Sequence, residues 1–300
     1  MSRRLKADLA LACCALIWGT TFVLVKDALA EASVFAFLAA RFVLALILLA
    51  VIFRAALAKT NRAELLAGAW IGVFMFAGYA FQTVGLASTT PSKAAFITGS
   101  SVVLVPMLHG LLWRKAIGAW VWMGVVAALA GLYLLTVPPS GFAHLNHGDL
   151  IVGGCAVAFA LHILFVGHFS PKHSPGALST YQIGMTALLS LLAVPLLSAT
   201  GWEPARFRMT PGLILAIVLT ASLATALAFS AQVWAQQHTT PTHTAILFSL
   251  EPVFAAIASY VMLGERLSLR ALSGAGLIFA GILMAEILGA APAAPESPAP

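Results

Sequence analysis

Charge is what this 300-residue sequence has least of: Asp, Glu, Lys and Arg together make up 9% of it, where a soluble domain carries about 25%. A soluble globular protein is excluded, and the net charge of +6 is no sign of nucleic-acid binding. Cysteine is nearly missing too. Cys13, Cys14 and Cys155 all fall inside apolar runs, which excludes a disulfide framework and predicts buried, inert thiols. No GxxxxGK[ST] phosphate loop is present, so nothing points to nucleotide-driven work. No HExxH and no paired aspartates occur. His109, His144, His147, His168, His173, His238 and His243 show no ligand spacing, and we expect no metal and no cofactor. Gly99-Ser100 with His109 or His162 is the only raw material for an intramembrane enzyme.

What is there is apolar. Hydrophobic residues are 61% of the chain and the mean hydropathy is +0.99. Runs of some 20 apolar residues, each long enough to cross about 30 Å of hydrocarbon, recur throughout. Ten spans are predicted, at 7–28, 33–53, 64–86, 91–112, 117–136, 149–169, 176–198, 211–236, 241–262 and 269–289. The start imitates a secretory signal, MSRRLK before an apolar run. However, Lys26 and Asp27 interrupt the supposed cleavage region, and the run has a counterpart deep in the chain. We expect the first helix to be a structural member.

That counterpart is part of a duplication. Asp8-Leu9 through Val25 matches Asp149-Leu150 through Val166. Further on, Thr239-Thr240-Pro241, Gly274 and Ala280-Gly281 fall 150 positions after Thr89-Thr90-Pro91, Gly124 and Ala130-Gly131. With five helices per copy, an odd number, the second copy must cross the membrane upside down. The loop charges agree. With the N-terminus inside, Arg3, Arg4, Lys6, Arg54, Lys59, Arg62, Arg114 and Lys115 lie on the inner side of the first copy, against Lys26 and Lys93 outside. In the second copy Lys172 is inside and Arg206, Arg208, Arg266 and Arg270 are outside, so the first copy's bias sets the orientation. The expected fold is an all-α membrane protein, ten transmembrane helices in two inverted-topology five-helix repeats. The first repeat is 1–137, a linker follows at 138–148, the second is 149–289, and the Pro/Ala-rich 290–300 is a disordered tail. Inverted repeats place substrate sites near midplane, between the halves. Gly124, Ala127, Ala128 and Gly131 in the fifth helix, with Ala271, Gly274, Gly276 and Ala280 in the tenth, mark close-packing scaffold or dimer contacts.

Few polar groups lie at membrane depth. Glu251, followed by Pro252, is near the middle of the ninth helix, where an acid costs about 2.5–3.5 kcal/mol and so faces the interior or a watery cavity. It is a proton-coupling group or a substrate-amine contact, or it ties its helix to a neighbour. Pro252 is expected to bend that helix. Arg41, in the second helix, either reaches the surface or faces the cavity and meets a carboxylate, that of Glu251 or the substrate's; its repeat partner is Gln182. Trp18 and Thr21 are at midplane in the first helix, and His162 is the partner of Thr21. Tyr79 and Gln82 in the third helix correspond to Phe229 and Gln232 in the eighth, the two glutamines near opposite faces as outer and inner gates would be. Ser100 and Ser101 occupy the level of Leu250 and Glu251, where serines also bond their own backbone. Trp18, Thr21, Arg41, Tyr79, Gln82, Ser100, Ser101, His162, Phe229, Gln232 and Glu251 are the candidate substrate contacts.

Together these stretches, TTPTHTAILFSLEPVFAAIASYVMLGERLS, ALIWGTTFVLVKDAL and AFLAARFVLA, resemble the drug/metabolite transporter superfamily, and within it the ten-helix EamA-type exporters. The resemblance spans about 1–289. The Leu250-Glu251-Pro252-Val253 and Leu263-Gly264-Glu265 elements are its most specific part. It implies export of amino acids or related small metabolites across a bacterial inner membrane, by a secondary transporter or facilitator with both termini cytoplasmic. A branch of the family handles aromatic amino acids, which the aromatic and glutamine lining suits. Where that pattern often has a tryptophan, this chain has Phe159-Ala160-Leu161-His162. The expected partners are a small-molecule substrate, lipid and a coupling proton, with no nucleic acid, in a monomer or homodimer. Helices one, three, four, six, eight and nine line the path. An intramembrane enzyme and a passive channel are the alternatives.

Overall fold

The structure is a computed structural model that describes residues 2–89, 91–114, 116–141, 146–263 and 268–288. Gly264-Glu265 of the family element, Lys115, Arg266, the middle of the linker and the tail lie outside the described residues. The described chain is helical. The helices are α1 (Arg3–Ala28), α2 (Val34–Ile52), α3 (Arg62–Ser88), α4a (Pro91–Gly99), α4b (Ser101–Trp113) and α5 (Ala119–Thr136). The second half supplies α6 (His147–Phe169), α7 (Pro175–Ala199), α8 (Pro211–Ala235), α9a (Pro241–Phe248), α9b (Glu251–Leu263) and α10 (Leu269–Leu283). Seven of the described helices are long and apolar enough to cross a membrane, and α10 is a shorter apolar one.

Local chemistry sets the boundaries. Asn61, Thr210, Thr240 and Ser268 each accept a backbone N–H in the first turn of α3, α8, α9a and α10. Asn146 and Asp149 form a reciprocal capping box at the start of α6, and proline opens α7, α8 and α9a, where no N–H is needed. The serines before α2 and α7 make no side-chain cap. Each of these helices is instead served by an acid from the other half. Glu203 accepts Val34 N–H at 2.7 Å and Phe35 N–H at 3.3 Å, and Glu64 accepts Ser174 N–H at 2.9 Å.

Two kinds of interruption depart from the expected continuous spans. The fourth and ninth helices are both broken, α4b starting at Ser101 and α9b at Glu251, positions 150 apart in the repeat. A proline stands directly after one break only, Pro252 in α9b, while Pro106 of α4b lies beyond its first turn, so the break belongs to the shared unit and not to Pro252. The other interruption is a π-helical turn, Ser222–Leu227, inside α8. The repeat counterpart α3 is regular throughout.

The inverted arrangement is visible in the packing of α5 on α10. A Cβ on Gly124 would lie 2.6 Å from the Gly281 carbonyl oxygen, and one on Gly281 2.5 Å from that of Gly124. Gly131 and Gly274 repeat the relation at 2.5 and 2.6 Å. Because Gly124 and Gly274, and Gly131 and Gly281, are repeat partners, exchanging the halves maps each contact on the other. The two helices run antiparallel, as an in-plane two-fold axis demands. These glycines are therefore used within the chain, not at a dimer contact. The largest core joins α2, α3, α7 and α8 around Phe37, Phe42, Met75 and Ile183. One thiol departs from expectation: Cys14 and Cys155 are buried, but Cys13 is exposed on the outside of α1.

Candidate functional site

Between the halves lies a cavity of about 720 Å³. Lining residues come chiefly from α1, α3, α4, α6, α8 and α9, with Arg41 of α2 on the wall and single turns of α5 and α10. On one side it reaches exposed Asp27 in the last turn of α1, and Thr136 in the last turn of α5. Toward the face where α1 begins it is shut. Trp18 packs there on Phe229 and Phe248, ring centroids 5.1 and 4.9 Å away. Below them Leu11, Ala235, Leu247 and Leu250 form an apolar plug, and the Asp8 carboxylate meets His243 Nε2 at 3.1 Å. The cavity thus opens to the face away from the N-terminus.

Arg41 is 3% exposed and its guanidinium is held on three sides. Nε donates to Thr225 Oγ1 at 2.7 Å, and Nη2 donates to Tyr79 Oη at 3.1 Å and to the Ala224 carbonyl at 3.4 Å. The guanidinium Cζ lies 4.7 Å from the centre of the Tyr79 ring, a cation–π contact. Nη1 makes no hydrogen bond among the described residues, and no carboxylate there pairs with Arg41. The π turn explains the cradle: widening the helix turns the Ala224 carbonyl sideways, and it accepts from Trp18 Nε1 at 2.8 Å as well.

Glu251, the first residue of α9b, is half-buried and lines the same cavity. It makes no hydrogen bond or ion pair among the described residues. The expected meeting of Arg41 with Glu251 does not occur; Arg41 is taken by neutral acceptors instead. A buried cation and a half-buried acid, neither paired with an opposite charge among the described residues, share one chamber.

Ten of the eleven candidate residues line the cavity. Ser100 does not: it sits at the break in α4 and its hydroxyl donates to the Ile97 carbonyl at 2.5 Å. Thr21 lines the cavity while donating to the Trp18 carbonyl at 3.0 Å. Gln82 donates to Thr98 Oγ1 at 3.4 Å, near the open end. Gln232 is at the deep end, beside His162, whose Nε2 is 2.9 Å from Gln182 Oε1. Sequence reasoning missed Thr225, Thr98 and Phe248. Thr225 carried a weak signal, a hydroxyl one helical turn before Phe229, shared with Thr220, Ser222 and Ser230 of the same helix. Phe248 carried none.

The EamA-like transporter family model matches this chain twice, over residues 5–137 and 146–286. The chain belongs to the EamA-like transporter family. Two relatives from Archaeoglobus fulgidus, each described as an uncharacterized transporter, are similar to it. One is 35% identical over 285 residues, covering 95% of this chain and 87% of its own. The other is 26% identical over 289 residues, covering 93% and 96%. One solved crystal structure superposes with a TM-score of 0.78 at 19% identity, over 94% of this chain and 97% of that one, a likeness of fold. The EamA-like family and its relatives point to a multi-pass membrane transporter of small substrates rather than to an enzyme.

Proposed function

We propose that this EamA-like protein exports amino acids, large neutral or aromatic ones above all, or closely related small metabolites, across the bacterial inner membrane. One observation carries the reading: Arg41 and Glu251 face one cavity and neither has a counter-charge in the described chain. Isolated charges at membrane depth are expensive, and a zwitterion brings both missing partners. Its carboxylate meets Arg41 Nη1 and its ammonium meets Glu251. Trp18, Tyr79, Phe159, Phe229 and Phe248 give the side chain an aromatic enclosure.

Alternating access follows from the inverted halves. With the N-terminus inside, as the loop charges favour, the cavity opens outward, and exchanging the roles of the halves generates the inward-open form. Binding does the work, so the protein acts as a secondary transporter or facilitator, and Glu251 is the group able to exchange a proton with the cargo's cycle.

A competition screen in proteoliposomes tests this, with all twenty amino acids competing against one labelled substrate. Large neutral and aromatic amino acids are expected to displace the label. Folded protein that moves no amino acid or related metabolite overturns the reading.

A further inference from the structure

At the deep end of the cavity two amides are locked in orientation by one backbone group. Gln236 Nε2 donates to the Ile163 carbonyl at 2.9 Å, and Gln232 Nε2 donates to Gln236 Oε1 at 3.0 Å. A carbonyl only accepts. Gln236 must therefore turn its nitrogen to Ile163 and its oxygen to Gln232, and Gln232 must answer with its own nitrogen. Flipping either amide would set oxygen against oxygen. The atom left over is Gln232 Oε1, necessarily an acceptor.

Among the described residues that acceptor has no partner. Gln232 is 1% exposed and lines the cavity, and its Oε1 makes no hydrogen bond. Phe229, one turn earlier on α8, and Ile163 are its apolar neighbours on the lining. A buried polar atom left unpaired is strongly disfavoured, and one on a cavity lining calls for a donor from what enters the cavity, water or ligand.

We propose that the cargo supplies the donor: the substrate is an amino acid whose side chain carries an N–H or O–H at its far end, such as a phenol or an indole. This rests on the amino-acid export reading. Thr225, which holds Arg41, and Gln232 are seven residues apart on α8, about 10 Å along the helix. A carboxylate at Arg41 and a donor at Gln232 are thus both reached by a long, ring-bearing side chain and not by a short aliphatic one. His162 and Phe229, ring centroids 5.6 Å apart and perpendicular, flank the ring's path.

L-Tyrosine and L-phenylalanine differ by the one donor and share the ammonium and carboxylate, so their comparison in proteoliposomes isolates the effect. Wild-type protein is expected to show an apparent KM about tenfold lower for tyrosine. Gln232→Met, which keeps the length and removes the acceptor, should bring the two KM values together. Gln236→Leu, which leaves Gln232 in place but frees its amide to rotate, should also lose the preference. Equal KM values in the wild type, or an intact preference in Gln232→Met, overturn this proposal alone. Absence of any amino-acid flux from folded wild type overturns the export reading and this proposal with it.

Discussion

Arg41 of the first half donates from Nε to Thr225 Oγ1 of the second half at 2.7 Å, and the repeat offers no second copy of that bond. The counterpart of Arg41 is Gln182, which turns to His162 of its own half. The counterpart of Thr225 is Met75, buried in the core. The π turn of α8 stands where the arginine is received, and regular α3 has no counterpart to it. Arg41 and the π turn, the two departures that meet, are in direct contact through Thr225 and Ala224, and Arg41 lies on the cavity wall.

Thr225 is therefore a positioning residue. Thr225→Val keeps the branched shape and removes the acceptor, so the guanidinium loses one of its three anchors. A hydrogen bond to a charged group contributes about 1.5–3 kcal/mol, and the apparent KM for a transported amino acid should rise about tenfold or more with little change in maximal rate. Thr225→Ser should restore it. The decarboxylated amine of the same substrate should respond to neither variant. A KM unchanged in Thr225→Val would show that the guanidinium is placed by Tyr79 and the Ala224 carbonyl alone.

Glu251→Gln keeps the size and hydrogen-bonding reach of the side chain and removes its ionisable group. With no bond among the described residues to lose, the fold should persist, and the thermal midpoint should stay within a few degrees of wild type. Amino-acid flux should fall at least tenfold, and its dependence on pH across the neutral range should flatten. Counterflow measured at several pH values checks this. An unaltered pH profile would reduce Glu251 to a wall residue.

The ten spans, the duplication and the close packing of α5 on α10 were legible because they rest on local signals: apolar runs of membrane length, prolines and capping residues at helix starts, glycines one or two turns apart. The break of α4 at Ser100 was not legible, since the nearest proline, Pro106, lies beyond the first turn of α4b and the sequence around Ser100 reads as continuous helix. Nor was the π turn, whose residues SLATAL have no distinguishing composition. The site was legible as a list of polar groups at depth, Arg41 and Glu251 included. Their partners were not. Whether a buried arginine meets a carboxylate or a threonine depends on which helix of the other half lies opposite, and no spacing within one helix encodes that.

Trp18→Ala tests the closed end. The indole donates to Ala224 and packs on Phe229 and Phe248, so its loss removes both the seal and one support of the π turn. Substrate affinity should drop, and a small uncoupled leak of substrate should appear in liposomes preloaded on one side, with most of the protein still folded. Wild-type affinity without leak would remove Trp18 from the site and from the gate.

Gly131→Leu should be far more damaging than any of these. Its Cβ would meet the Gly274 carbonyl oxygen at 2.5 Å and Ile278 Cγ1 at 2.8 Å. The carbonyl belongs to the backbone and cannot step aside, so α5 and α10 must separate. Overpacking typically costs about 1–3 kcal/mol, and a backbone clash stands at the upper end. Reduced thermal stability in detergent is the readout. Gly276→Leu, on the facing helix α10 with nothing within 4 Å of its Cβ, is the control and should be nearly neutral.

Glu203 and Glu64 should separate stability from transport. Each caps a helix of the opposite half, Glu203 at the start of α2 and Glu64 at the start of α7, and those two helices pack side by side with the caps at opposite ends of the seam. A lost cap costs about 0.5–2 kcal/mol, and a carboxylate also gains from the helix dipole. Glu203→Ala and Glu64→Ala should each lower the thermal midpoint by a few degrees, and the double variant by roughly the sum, since the sites share no partner. Neither residue contributes a contact to the cargo in this reading, so the KM should stay at the wild-type value. If instead one variant changes the KM or the maximal rate, its cap is made in one access state and broken in the other, and the α2–α7 seam is then part of the moving machinery.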